Sequence, residues 1–90
     1  MESHPVPGGP DDVVCDVWDY FGSIPNEDIE GHDFTAPTLG YVWTMPTTGF
    51  QHVLVASQTP NVFLVLVVDL RQREVRGHHL LDLRKLYGLI

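Results

Sequence analysis

Residues 58–70 read QTPNVFLVLVVDL, seven apolar residues in unbroken succession between a Pro-Asn turn and an aspartate. In an extended chain successive side chains alternate, so Val62, Leu64, Leu66 and Val68 face one way while Phe63, Val65 and Val67 face the other. Both faces are apolar, which is the pattern of a central strand covered on both sides. The run is far too short to span a bilayer. A chain of 90 residues has about one or two helices to offer as cover. A closed barrel, a subunit contact or another protein must therefore supply the rest.

The flanking sequence supplies that strand's neighbours. Residues 39–45, 50–57 and 74–80 are rich in Val, Leu, Tyr and Trp, with a weaker strand signal at 34–35. The separators APT, PTTG, QTPN and RQR are short, and short connections between neighbouring strands favour an antiparallel meander. The end, DLRKLYGLI, places Leu83, Leu86, Tyr87 and Ile90 on one helical face, with Asp82 as cap and Gly88 as stop. Its expected task is to cover one side of the sheet. Upstream, Asp11 or Asp12 can cap a helix through Phe21 that carries Val14, Val17, Trp18 and Phe21 at helical spacing and stops at Gly22. The same residues also alternate tolerably as a strand, so helix is only the better of two readings there. Residues 1–10, with three Pro and two Gly, read as a flexible tail. The expectation is one small α+β domain over residues 11–90: an antiparallel β-meander of four or five strands, a short C-terminal helix, and residues 13–21 as an optional N-terminal one.

Charge falls into three blocks. Residues 1–33 carry nine acids and no Lys or Arg, residues 34–68 carry no charge, and residues 69–90 carry three acids and all five bases. An acidic first third repels nucleic acid and anionic membrane, both of which bind through Lys and Arg, so neither is expected as a partner. It suits another protein with a basic surface, whose approach Asp16, Asp19, Glu27, Asp28, Glu30 and Asp33 would steer. Trp18, Tyr41 and Trp43 join these acids as candidate partner-binding residues, because Trp and Tyr are enriched where interfaces carry their binding energy. The long uncharged middle implies that much of it is covered, by the chain itself, by a second copy in a homodimer or by a partner.

The string D-L-x-x-R-x-V-x-G-x-x-L from Asp69 to Leu80 resembles the first hairpin of retroviral-type integrase and transposase cores, where a strand-borne Asp binds catalytic metal. The resemblance covers about fifteen residues and implies a two-metal nuclease or transferase. Such chemistry needs further carboxylates to complete the metal pair, and only Glu74 and Asp82 follow. A common hairpin, with a solvated turn at 71–74 and an irregularity at Gly77, accounts for the string. NEDIEG, residues 26–31, has the oxygen spacing of the start of a calcium loop, but its twelfth position is Pro37 in place of a bidentate Glu. His78 and His79 are adjacent and point to opposite faces of a strand, so they cannot chelate one ion together.

Cys15 is the only cysteine, which fits a reducing compartment and a small buried hydrophobe better than a reactive thiol. The N-terminus lacks the basic and apolar regions of a signal peptide, and the expected location is cytoplasmic. No phosphate loop, nucleophile elbow or metal spacing is present, so neither a catalytic residue, a cofactor nor a metal is assigned. The functional expectation is a non-enzymatic interaction module, an inhibitor, immunity-type or regulatory protein, that binds through an apolar sheet face or its acidic loop. The alternatives are a nucleic-acid-mimicking inhibitor of a basic protein, and a small ligand-binding protein or enzyme in which Asp69, His52, His78 or His79 converge.

Overall fold

The two-sided apolar run forms β4 (Val62–Asp69), which sits inside a sheet as its pattern requires. Its neighbours are β3 (Phe50–Ala56) and β5 (Glu74–Asp82), with β2 (Thr38–Met45) beyond β3 and β1 (Val6–Gly8) beyond β2. Every pairing is antiparallel and the spatial order follows the chain, giving the expected α+β meander. The computed structural model describes residues 6–9, 12–34, 37–45 and 47–88. His4, Asp11, Thr35 and Ile90 lie outside the described residues, as do the rest of residues 1–5 and 10. With β1 and β5 at opposite edges the sheet is open, so barrel closure is not what covers β4.

One face of the sheet is covered. Val42, Val53, Val55, Leu64, Leu66 and Val68 are buried there, sealed by residues 12–34, which lay Val13, Val14, Cys15, Val17, Phe21 and Phe34 across the strands. Burying a Val or Leu side chain is worth roughly 1.5–3 kcal/mol, so this single packed layer is where the fold draws its stability. Within it a short helix α1 (Trp18–Gly22) is followed by a 3-10 turn at Asn26–Ile29.

Three expectations need correction. Residues 6–8, read as tail, form an edge strand paired with residues 42–44. Pro7 is no obstacle, because a strand at an edge needs donors on one side only. The N-terminal helix begins at Trp18 and not at Asp12, and it is Asp16 that serves its start, with Oδ1 accepting the Trp18 N–H at 2.9 Å. Asp12 instead closes a turn on Gly9, accepting the Gly9 N–H at 2.9 Å. The physical reason is Gln51, which is 2 % exposed among the apolar residues of the covered face. Its amide donates to the Asp12 carbonyl at 2.7 Å and accepts from the Val14 N–H at 3.3 Å. Those backbone groups are thereby held against the sheet and are lost to a helix. The third correction concerns α2 (Leu83–Leu86), where Asp82 caps as expected by accepting the Arg84 N–H at 3.0 Å. The helix is a single turn, and Leu86 and Tyr87 are 68 % and 69 % exposed, so it does not cover the sheet.

The hairpins explain themselves locally. Gly49, with φ at +75°, lets the β2–β3 turn fold back so that its N–H reaches the Met45 carbonyl at 3.0 Å. In the β4–β5 turn Asp69 accepts the N–H groups of Arg71 and Gln72 at 2.8 and 3.1 Å. The register slips between Val67 and Val68, opposite Gly77, which is the irregularity expected at that glycine.

Gln51→Leu should cost about 2 kcal/mol, because it orphans two backbone groups under the covering layer. Urea unfolding checks this, with an unchanged midpoint as the contrary result.

Candidate functional site

Among the described residues, the second face of the sheet has no such cover. Its residues stand in rows given by the strand register: Trp43, His52, Val67 and Gly77; then Leu54, Val65 and His79; then Ala56, Phe63 and Leu81. Val65, at the centre, is buried by its neighbours, whereas Trp43, Leu54, Phe63, Val67 and Leu81 remain partly open to water. None of them packs against the cluster formed by the covering layer. Gly77 adds to the opening, since a side chain there would meet nothing within 4 Å. These rows contain no Asp, Glu, Lys or Arg; charge begins at the hairpin end, where Asp69 and Glu74 both pair with Arg76, at 3.4 and 3.1 Å.

Aromatic rings gather at the β2 side of this face. Trp43 stacks on His52 with centroids 5.2 Å apart and planes 4° from parallel, and Tyr41, half exposed, lies 5.6 Å from Trp43. The stack comes at a cost, because Nδ1 of His52 is buried with no hydrogen-bond partner. Burial, with a smaller contribution from neighbouring His79, holds the His52 imidazole below its usual range.

The candidate partner-binding residues therefore separate. Tyr41 and Trp43 belong to the open face. The acids Asp16, Asp19, Glu27, Asp28, Glu30 and Asp33 belong to the covering layer on the other side, together with Trp18, which is 40 % exposed and packs edge-on against Phe21. Several of these acids have internal duties. Asp28 and the Tyr20 hydroxyl hold the two nitrogens of His78, at 2.8 and 2.6 Å. Since a carboxylate only accepts, Nε2–H donates to Asp28, and in the tautomer with its single ring proton there Nδ1 accepts the Tyr20 proton. Glu30 accepts from Lys85 at 3.3 Å. These contacts latch the covering layer onto β5 and α2. Asp28 and Glu30 are thus bound to different groups, and no cluster of three or more metal-ligating side chains occurs among the described residues.

The structure divides the residues of the catalytic alternative between the faces. His78 lies under the covering layer, His52 and His79 lie on the open face, and Asp69 caps a turn at the sheet's end. Hydrogen bonds from the Gln72 and Arg71 backbone and from the Arg76 side chain hold the Asp69 carboxyl below its usual range. The hairpin thus explains this aspartate in full. A cleft of about 360 Å³ within the covering layer joins His32 and Asp33 to an apolar floor of Phe21, Ile24, Ile29 and Phe34, but it takes in none of the strand residues. Burial, then Asp16 and Glu74, pushes the Cys15 thiol up, which keeps it protonated and unreactive at neutral pH.

Sequence reasoning missed Gln51, Leu54 and the Tyr20–His78–Asp28 chain. Gln51 had a readable signal, a lone polar residue in the alternating row Gln51, Val53, Val55. The chain had none, because its members lie 58 and 50 residues apart in sequence.

The His52 environment gives a pH dependence whose sign is fixed. A histidine with a depressed folded value binds fewer protons when folded, so its contribution to stability falls as pH drops below about 6.5, the value of the unfolded chain. His52→Phe keeps the stack and removes the orphaned nitrogen. The variant should be as stable as the parent or up to about 1 kcal/mol more stable at pH 7. Between about pH 7 and pH 5 it should lose less stability than the parent. Parallel pH profiles in chemical unfolding would contradict this. Comparison with protein-family models, curated proteins and solved structures finds no match, so the functional reading rests on the geometry of the two faces.

Proposed function

We propose that this chain is a non-enzymatic protein–protein interaction module, of the kind represented by small inhibitors, immunity-type and regulatory proteins, and that its contact surface is the open face of the sheet. One observation carries the reading: Trp43, Leu54, Phe63, Val67 and Leu81 form a continuous, partly exposed, uncharged surface on strands that are rigidly backed from the other side. The largest contiguous apolar patch on a soluble protein is often a functional contact surface. The aromatic group at its β2 side is of the type that anchors interfaces. The site of action is the cytoplasm in this reading, in line with a lone cysteine and no cross-link. No helix among the described residues is long and apolar enough to cross a membrane.

A second reading has its own observation. Residues 12–34 carry seven acids without a single Lys or Arg, and Asp16, Asp19, Glu27, Glu30 and Asp33 are exposed. Such a layer would steer a basic protein, or imitate the phosphates of a nucleic acid to an enzyme that binds one. The internal duties of Asp28 and Glu30 weaken it, since a mimic needs its carboxylates free to face the partner.

A photo-crosslinking amino acid placed at position 54 or at position 19, in the protein's own cells, tests the choice. The expected result is an adduct from position 54 and none from position 19, unaffected when Asp16, Asp19, Asp28 and Glu30 are neutralised together. An adduct from position 19 alone, lost on neutralisation, would transfer the function to the acidic layer, and silence at position 54 would remove the open face from it.

A further inference from the structure

The geometry points to a second copy of this chain as the occupant of the open face, packed sheet to sheet about a twofold axis. This rests on the reading of that face as the contact surface and adds the identity of what lies on it. Charge distinguishes the occupants. The rows built on Trp43, Leu54 and Phe63 offer no carboxylate to a basic partner and no cation to an acidic one, so a charged partner would bury its ions there unpaired. A second copy brings the same uncharged surface, which is what a self-complementary twofold contact needs.

The acids reinforce this. All those of residues 12–34 belong to the layer on the far side of the sheet, so two copies packed through their open faces keep these layers outermost. Sheets pack about 10 Å apart, which puts the two acidic layers roughly 30 Å from one another, well beyond the screening length of about 8 Å at physiological salt. Packing through the acidic side would instead bring like charges together. The position of the acidic layer therefore disfavours one dimer and permits the other.

Area sets the size class of the contact. Four strands of seven to nine residues present a face of roughly 500 Å² per copy, or roughly 1,000 Å² for a pair, the lower edge of specific interfaces. The dimer should be reversible, with a dissociation constant in the micromolar range. Leu54 and Val65 lie in the central row, so they meet their counterparts near the axis, with His79 at the end of the same row.

Sedimentation equilibrium from about 1 to about 500 μM tests the proposal on the full chain. The parent should pass from monomer to dimer, Asp19→Asn should do the same, and Leu54→Lys and His79→Glu should each weaken dimerisation by about 100-fold or more. His79 is exposed, so its variant carries the test should Leu54→Lys fail to fold. A parent that stays monomeric throughout overturns the second copy as occupant. A dimer that survives both substitutions also overturns it, and would indicate pairing along the free edge of β5. In the monomeric case, acrylamide quenching of Trp43 in a Trp18→Phe background separates the two readings. A quenchable Trp43 leaves the open face as the contact surface for a different protein, whereas a protected one removes that reading as well.

Discussion

Because β4 is apolar on both faces, the sheet around it requires two covers, and residues 12–34 supply one. The rest of the molecule follows from that shortage. The covered face becomes the core, with Val53, Val55, Leu64 and Leu66 fully withdrawn from water. The other face is left with rings and branched aliphatic side chains that shield one another only partly. Neither described terminal element relieves it, since β1 is three residues long at one edge and α2 is one turn whose Leu86 stays in solvent.

The covering layer is held by polar contacts as much as by apolar ones. A segment this short and this acidic cannot rely on helix formation to stay in place, and α1 has only five residues. Gln51 fastens its beginning through the backbone of Asp12 and Val14, and the Tyr20–His78–Asp28 chain fastens its middle to β5. Gln51, the buried member of these contacts, has both ends of its amide satisfied. Asp16, Asp19, Glu27, Asp28, Glu30 and Asp33 of this layer are all exposed to water. The molecule is consequently two-sided over its described residues, acidic outside the layer and uncharged over the sheet rows of Trp43, Leu54 and Phe63.

Much of this was legible in residues 58–70, because a strand with two apolar faces states its own need for two covers. The meander followed from short connections, and the Asp82 cap and the slip at Gly77 from local chemistry. What was not legible depended on contacts between distant residues. β1 was hidden by Pro7 and Gly8, which look like tail until an edge position removes the need for a second row of donors. The helix start was misplaced because Gln51, nearly forty residues downstream, claims the backbone that a cap at Asp12 would have organised. The division of the candidate residues between two faces was equally out of reach. Trp18 and Trp43 look alike in composition, and only the strand register and the path of residues 12–34 put them on opposite sides.

The most direct measurement of the central claim is hydroxyl-radical footprinting of the dilute, folded protein, read residue by residue. A sheet covered on one side only predicts oxidation at Trp43, Met45, Leu54 and Phe63 together with protection at Phe34, Val53, Leu64 and Leu66. Equal protection of the two sets would mean that the second face is closed within the chain itself, and the account would fail.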